Sequence, residues 1–203
     1  MKQNEMKKIM RHFDRYFEQT DSLVLHSIDN TSPHIDILLY KPSEKYPFWK
    51  LVTMGASDYK MPKVHNTYGQ SNEYIMFIDQ GVDLNDTEMV LWYANKLRLV
   101  STFAYYNKAH ITFGHSIEWE NNDPDDEMIA AYIELPQIID STGILRCKLG
   151  LFKKVICLQV VLLNRTDLDK LMEIGPRAFD YYLYPENDEK PHFLSERHRS
   201  EIF

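Results

Sequence analysis

The stretch FWKLVTMGASDYKMP, residues 48–62, joins a strand-like segment to a turn in which a serine stands beside an aspartate. Its first half alternates between two faces, as a strand does. Phe48, Lys50, Val52 and Met54 fall on one face, and Trp49, Leu51 and Thr53 fall on the other. The strand then runs directly into Gly55, Ala56, Ser57 and Asp58. Either Ser57 and Asp58 form a reactive or binding edge, or the turn is a tight corner that requires a glycine.

The reactive interpretation would make the chain a hydrolase-like enzyme that uses Ser57, Asp58 and one lone histidine. Adjacent residues on an extended chain point apart, so Ser57 and Asp58 cannot form a relay directly. The turn also lacks the G-x-S-x-G pattern that exposes a nucleophilic serine. We therefore predict that the chain is not an enzyme and has no catalytic residues, and we keep the hydrolase as an alternative.

Metal and cofactor motifs are not indicated by the spacing of the ligand-type residues. The eight histidines stand at positions 12, 26, 34, 65, 110, 115, 192 and 198, and none makes an i, i+4 pair. His34 and Asp36 share one face of a predicted strand. Cys147 and Cys157 lie ten residues apart without a C-x-x-C pair. No phosphate-binding glycine loop occurs. The sequence predicts neither a metal nor a cofactor.

The acidic stretch EWENNDPDDEM, residues 118–128, is the candidate surface for binding a partner. Its candidate residues are Glu118, Trp119, Glu120, Asp123, Asp125 and Asp126. The stretch is either a solvated connection between strands or a negative patch that steers a basic protein, with Trp119 as an aromatic anchor. It lacks the turn glycine and closing glutamate of a calcium-binding loop, so calcium is not predicted.

The bulk composition favours one compact domain with a protein partner. The chain has 203 residues, 44% of them hydrophobic, and a net charge of −7, which disfavours binding to nucleic acid. The first residues contain no signal peptide, and no apolar run reaches the roughly 18 residues of a membrane span. We therefore expect a cytoplasmic protein without a membrane partner. The two cysteines flank a predicted hairpin, and reduced, buried thiols are favoured over a disulfide.

The order of predicted elements indicates a single α+β domain, with helices packed on a mixed, largely antiparallel sheet. Strands are predicted at 22–28, 34–41, 48–54, 73–79, 111–117, 128–136, 143–152 and 154–163. Helices are predicted at 2–19, 85–107 and 167–174, the last ended by Gly175-Pro176 and continued by a second apolar segment at 177–184. Asn85 with Glu88 fits a capping box, and Thr166 can cap the later helix. Val90, Leu91 and Ala94 begin the buried stripe of the second helix. The chain divides into an N-terminal helix (1–20), a main domain (21–184) and a polar tail (185–203).

The stretch HIDILLYKPSEKYPFWKLVTMGASDYKMP resembles the suppressor of fused (SUFU) domain family. LVTMGASDYKMP is close to the T/S-x-G-x-S-D corner of that family. EYIMFID and VICLQVVLLNRTDLDKLMEIG match a central strand and the closing strand and helix. The similarity covers residues 20–183. The last strand ends LLNRTDLDK and so lacks the proline-containing ending that is often found in the family.

The resemblance implies an α/β sandwich-like domain that binds proteins and has no catalytic centre. Animal members sequester a transcription factor, whereas bacterial single-domain members look like immunity proteins of polymorphic toxin systems. A chain with one such domain fits the bacterial role. The expected function is therefore non-enzymatic protein binding, with neutralisation of a basic toxin as its specific form.

On this reading Thr53, Gly55, Ser57 and Asp58 form a structural corner. Gly55 allows a backbone conformation that other residues avoid, and Ser57 and Asp58 cap the turn by accepting hydrogen bonds from neighbouring backbone N–H groups. A further alternative is a homodimeric structural module, suggested by Tyr105, Tyr106, Tyr181 and Tyr182. The sequence leaves the oligomeric state open.

Overall fold

A mixed sheet of eight strands is the centre of the molecule. The computed structural model describes residues 1–27, 33–65, 69–121, 123–137, 139, 141–185 and 191–198. The strands are β1 (Leu23–Leu25), β2 (Asp36–Tyr40), β3 (Phe48–Met54), β4 (Asn72–Asp79), β5 (Ser116–Glu118), β6 (Ala130–Glu134), β7 (Arg146–Lys148) and β8 (Lys154–Leu163). They are arranged in the order β1-β2-β3-β4-β8-β6-β5, and β7 also pairs with β8.

Only one pairing among the described strands is parallel, the pairing of β4 with β8, and the other pairings are antiparallel. β8 binds β4 along one edge. Its other edge is shared by β7, opposite the start of β8, and β6, opposite its end. This arrangement confirms the predicted mixed, largely antiparallel sheet.

Helices cover both faces of the sheet and create two hydrophobic cores. The helices are α1 (Gln3–Phe17), α2 (Thr87–Asn107), α3 (Arg165–Ile174) and α4 (Pro176–Leu183). The first core contains buried residues of α1, α3 and α4, and the second contains those of α2. Strand β3 supplies both: Phe48 and Val52 lie in the first core, and Trp49 and Leu51 in the second. Burial on two faces explains the nearly continuous apolar run of β8.

Helix starts and one helix face differ from the prediction. Asp86, rather than Asn85, caps α2 by accepting a 2.9 Å bond from the Glu88 N–H, because Asn85 is already held by the carboxylate of Asp83. Asn164, not Thr166, caps α3 through a bond to the backbone of Asp167. Leu91 is 39% exposed, because the buried stripe runs through Val90, Tyr93, Ala94, Leu97 and Val100 instead.

Several predicted strands are shorter than expected. Of the segment 111–117, only its last two residues belong to β5, and of the segment 143–152 only Arg146–Lys148 is extended. A 3-10 turn at Thr142–Leu145 precedes β7, and a tight turn follows it, in which the N–H of Leu149 donates to the Lys153 carbonyl. The turn predicted at 29–33 lies mostly outside the described residues.

The segment 191–198, part of the predicted polar tail, is inserted into the sheet. The backbone N–H of Ser195 donates to the Phe77 carbonyl at 2.8 Å, and the Ser195 hydroxyl accepts from the Leu162 N–H at 3.1 Å. Beyond Met76 and Val160 the strands β4 and β8 separate, and Ser195 fills the gap by pairing with Ile78. The tail therefore contributes buried residues to the fold; residues 186–190 and 199–203 lie outside the described ranges.

Two further findings bear on the sequence expectations. Cys147 and Cys157 are free and buried, because Cys147 lies opposite Val155 rather than opposite Cys157. No helix within the described ranges is long and apolar enough to cross a bilayer.

Replacing Phe193 by alanine tests whether the inserted segment stabilises the fold. Phe193 is 6% exposed and its ring contacts those of Phe48, Phe77 and Tyr184. We expect Phe193→Ala to lower the free energy of unfolding by about 3–4 kcal/mol in urea titrations. Tyr181→Ala, which truncates a side chain that is 76% exposed, should change it by less than about 0.5 kcal/mol. Equal effects of the two variants would show that the segment does not stabilise the sheet.

Candidate functional site

The corner after β3 is a single 3-10 turn, Ala56–Asp58, that follows a strained glycine. Gly55 has a φ of 134°, and a Cβ atom there would lie 2.4 Å from the carbonyl oxygen of His34. Both the positive φ and the close approach of another backbone segment require glycine. The geometry at Gly55 is thus that of a tight corner.

The centre of the corner is the buried carboxylate of Glu73, in β4. Its Oε1 atom accepts hydrogen bonds from the N–H of Gly55 at 3.0 Å, the N–H of Ser57 at 3.2 Å and the hydroxyl of Ser57 at 2.7 Å. Its Oε2 atom accepts from the hydroxyl of Thr53 at 2.6 Å. Glu73 is fully buried. One carboxylate thus binds the end of β3, the glycine and the turn together.

This geometry corrects the predicted role of Ser57 and Asp58. Ser57 donates to Glu73 and does not cap the turn, whose start has no side-chain cap. Asp58 points elsewhere: its carboxylate lies 3.7 Å from the Lys153 ammonium and also pairs with the amino group of Met1. Sequence reasoning missed Glu73, although an acid directly before the apolar run Tyr74–Ile78 was a visible signal.

The electrostatics of the corner fit a structural role. Burial raises the pKa of Glu73, and the hydrogen bonds from Ser57, Thr53 and Gly55 oppose that shift. Ser57 is 1% exposed. Its hydroxyl faces the Glu73 carboxylate inside the protein and not an imidazole at an open cleft. The arrangement stabilises a turn and presents no activated nucleophile.

Removing the Glu73 carboxylate tests this assignment. In Glu73→Ala four buried donor groups lose their acceptor, so we expect a loss of about 3–5 kcal/mol in the free energy of unfolding. Glu73→Gln keeps one acceptor oxygen and should cost less. The matched control is Glu173→Ala on α3, where the side chain is 69% exposed and pairs only with Lys170. If Glu73→Ala were as stable as that control, the corner would not depend on the carboxylate.

Part of the acidic stretch is used inside the protein. Asp126 is 8% exposed and forms a 2.6 Å ion pair with the ammonium of Lys96, a residue of α2. The same ammonium lies over the rings of Trp92 and Trp119, 5.3 and 5.0 Å from their centroids. The indole N–H of Trp119 donates to the Met128 carbonyl at 3.1 Å. Trp119 and Asp126 therefore hold a buried lysine, which the sequence pattern did not reveal.

The other members of the stretch face solvent. Glu118, Glu120, Asp123 and Asp125 are exposed. Glu118 forms a 2.6 Å ion pair with Arg165 at the start of α3. The outward carboxylates that remain for a partner are those of Glu120, Asp123 and Asp125, and their role in binding stays a prediction.

His34 and Asp36 lie together as predicted, and His26 joins them. The nearly buried carboxylate of Asp36 lies 3.2 Å from Nε2 of His34 and 3.3 Å from Nδ1 of His26, and it accepts from the N–H of Ser27. Within the ranges that the structure describes, no histidine, cysteine, aspartate and glutamate side chains group as a metal site requires. Asp36 serves to connect β2 with the end of β1.

A second buried polar cluster joins β6, β8 and α4. Glu134 is 2% exposed and accepts a 2.9 Å bond from the hydroxyl of Tyr184, which also contacts the side-chain oxygen of Gln159. Burial, followed by the nearby charge of Asp180, raises the pKa of Glu134 to about 8. Glu134 is thus protonated in the folded protein over much of the neutral range.

The raised pKa of Glu134 predicts a pH dependence of stability. Between pH values of about 4.5 and 8 the folded chain holds a proton that the unfolded chain releases, so the free energy of unfolding falls as pH rises, by up to about 1.4 kcal/mol per pH unit. Glu134→Gln mimics the protonated acid, and the exposed Gln137 amide can rotate to accept its NH₂ group. We expect this variant to lack that slope and to exceed the original chain in stability at pH 9. If the free energies of unfolding of this variant and of the original chain, both from urea titrations, changed with pH in parallel, the assignment would be wrong.

The tyrosines suggested as a dimer surface lie on separate helices. Tyr106 at the end of α2 is 62% exposed, and Tyr181 and Tyr182 in α4 are 76% and 43% exposed. Tyr105 contacts the ring of Tyr59 instead. The homodimer remains a prediction that a molar mass from light scattering would test.

Comparisons with known proteins agree with this architecture. A family model described as Suppressor of fused protein (SUFU) matches residues 31–189. A search of curated proteins found no match.

Similar folds occur among solved structures. The crystal structure of the Sufu–Fu complex has a TM-score of 0.66 and 14% identity, over 97% of this chain and 91% of that chain. Drosophila Suppressor of Fused has a TM-score of 0.66 and 15% identity, over 98% of this chain and 51% of that chain. A SUFU homologue from Neisseria gonorrhoeae has a TM-score of 0.63 and 9% identity, over 100% of this chain and 98% of that chain. The chain thus spans about half of the Drosophila protein and nearly all of the bacterial one.

Proposed function

Because this chain belongs to the suppressor of fused family, we propose that it acts by binding another protein and carries out no chemical reaction. The family match over residues 31–189 is the observation that carries the proposal. A structural relative was solved as a Sufu–Fu complex, which is an example of protein binding by this fold. Ser57 borders a cavity, but it is 1% exposed and its hydroxyl donates to Glu73, and no histidine is among the described residues that line that cavity. These contacts support the same conclusion, since the hydrolase alternative needs a serine hydroxyl that a histidine activates at an open cleft.

The specific form of the proposal is neutralisation of a basic toxin by occlusion of its active surface. The bacterial relative has nearly the same extent as this chain, which fits the single-domain type of protein for which this role is suggested. Occlusion needs complementary charge and a few desolvated contacts. A cytoplasmic location is part of this proposal, and free, buried Cys147 and Cys157 are compatible with it.

The contact surface in this proposal is the outward part of the acidic stretch. Glu120, Asp123 and Asp125 are exposed and lie close together in the chain. Exposed carboxylates of one sign accelerate the approach of a cationic partner, and their effect weakens as salt screens the charges. Trp119 is held by Lys96 and Met128, so the anchor must come from the partner.

Co-expression with the products of the neighbouring genes tests this proposal. We expect one such product to be toxic alone, harmless together with this chain, and bound to it in a complex that survives size-exclusion chromatography. Glu120→Lys with Asp125→Lys should weaken that complex by roughly tenfold or more, mainly through slower association. The control pair, Glu44→Lys with Glu173→Lys, makes the same change in net charge at other exposed positions.

Ser57→Ala separates binding from catalysis. The variant loses one buried hydrogen bond and about 1–2 kcal/mol of stability, and protection of cells should be unchanged. Loss of protection in a folded Ser57→Ala protein would favour the hydrolase. If no neighbouring product is toxic and none forms a complex, the toxin-neutralising role is wrong.

A further inference from the structure

The turn between β7 and β8 presents two large apolar side chains to solvent. Leu151 is 86% exposed and Phe152 is 91% exposed. The turn itself is ordered: the N–H groups of Leu149 and Gly150 donate to the Lys153 carbonyl at 2.9 and 3.2 Å. The ammonium of Lys8, in α1, donates to the Leu149 carbonyl at 2.5 Å. The apolar tip is therefore held on a fixed support and projects from it.

The charges around this tip are mostly cationic, although the chain carries a net charge of −7. The exceptions are Glu5 and Asp58, whose carboxylates lie 2.9 and 3.7 Å from the ammonium of Lys153. No aspartate or glutamate occurs from residue 141 to residue 166. We call the tip and its cations the basic hairpin face. It consists of Leu151, Phe152, Arg146, Lys148, Lys153 and Lys154 from the hairpin and Lys8, Arg11 and Arg15 from α1.

Two basic cavities are lined by residues of the hairpin, and one of them includes Phe152 of the tip. One, of about 560 Å³, is lined by α1 and the hairpin, and its lining includes Lys8, Arg11 and Arg146 but no carboxylate. The other, of about 640 Å³, is lined by Phe152 and four lysines, together with Ser57, Asp58 and neutral residues; the lysines are Lys60, Lys63, Lys153 and Lys154, and the neutral residues are Val64, Gly69, Gln70 and Ser71. Its one carboxylate, Asp58, is already paired with Lys153. Both cavities are therefore suited to anionic groups.

One pair of cations lies where its mutual repulsion opposes folding of the hairpin. Lys148 and Lys154 are exposed and lie directly opposite each other in the β7–β8 register. Like charges at such a position destabilise a hairpin. An external layer of negative charge would relieve this repulsion, so the pair indicates an anionic surface as partner.

The basic and acidic surfaces lie at opposite ends of β8. The basic hairpin face begins at Lys154, where β8 starts, while Glu118 lies beside Ala130, whose own partner is Leu163, the last residue of β8. Ten residues of strand separate these ends by about 30 Å. The molecule is therefore polarised along its central strand.

We propose that the basic hairpin face docks on an anionic lipid bilayer, with Leu151 and Phe152 entering the interface and the surrounding cations at the level of the lipid phosphates. A projecting apolar tip ringed by lysines fits a bilayer, which accepts such a shape without a matching pocket. Nucleic acid is less favoured, because Phe152 alone of the two tip residues offers a ring on which a base could stack. The expectation of no membrane partner considered only spanning segments, and docking requires none. Docking would turn the acidic end of β8 away from the lipid charge.

Flotation with large unilamellar vesicles tests this docking. The full chain should float with vesicles of phosphatidylcholine containing roughly one third phosphatidylglycerol, and not with phosphatidylcholine alone. Each cation near an anionic membrane contributes about fivefold in affinity. Binding should therefore weaken as salt is raised, because dissolved ions screen this attraction.

Two pairs of substitutions separate the apolar and the ionic contributions. Leu151→Ser with Phe152→Ser should weaken binding at least tenfold, and Lys148→Glu with Lys154→Glu at least twentyfold. The matched controls are Met172→Ser with Tyr181→Ser, which remove side chains 72% and 76% exposed elsewhere, and Lys41→Glu with Arg177→Glu at exposed positions. The controls should bind as the original chain does, and unchanged unfolding midpoints should show that all variants are folded.

A fluorescent label reports insertion of the tip. Because both natural thiols are buried, Phe152→Cys can be labelled selectively with an environment-sensitive dye, whose emission should shift to the blue only with the anionic vesicles. Equal binding to both vesicle types would overturn the proposal. Unchanged binding by a folded double variant, Leu151→Ser with Phe152→Ser, would do the same. The proposal would also be overturned if the hairpin variants bound vesicles as before but no longer formed a protein complex, or no longer bound short DNA. None of these outcomes depends on whether a toxin is neutralised.

Discussion

The carboxylate of Glu73 sets the position of the corner around which the first half of the sheet is built. A carboxylate with no access to water is costly unless donors surround it, and here the donors come from Thr53, Gly55 and Ser57. The first of these is the penultimate residue of β3 and the others belong to the turn, so one group fixes the strand end and the direction in which the chain leaves it. Glu73 also pairs with Cys157 of β8, which links the corner to the middle of the sheet.

Buried charges elsewhere are accommodated by different means. Lys96 is neutralised by Asp126 and enclosed by two indole rings. The Lys50 ammonium lies 5.8 Å from the ring centroids of both Phe17 and Phe48, and burial lowers its pKa to about 8. The face of an aromatic ring attracts a cation and so replaces part of its lost hydration. It offers no such attraction to a carboxylate. Glu73 therefore relies on hydroxyl and N–H donors, whereas Lys50 and Lys96 lie over aromatic rings.

Local patterns predicted the elements well, and long-range contacts account for what they missed. The bounds of β3 and β8 follow from alternation and from an apolar run, which a short window contains. The cap at Asp86 was misassigned because neighbouring polar residues compete for the same N–H groups. The partners of Glu73 stand up to twenty residues away in the chain, and the cation held by Trp119 belongs to α2, 23 residues earlier in the chain. The basic hairpin face likewise appears only when α1 is brought beside β7.

The parallel pairing of β4 with β8 has a consequence for how the chain is made. On the ribosome β1 to β4 can form hairpins as soon as they emerge, since each pairs with its neighbour in sequence. The other edge of β4, Asn72–Met76, finds its partner only when Ile156–Val160 has been synthesised. Until then an apolar edge with unpaired backbone groups is open to other nascent chains. Chaperones that recognise extended apolar segments would therefore engage this protein in the interval between translation of β4 and translation of β8.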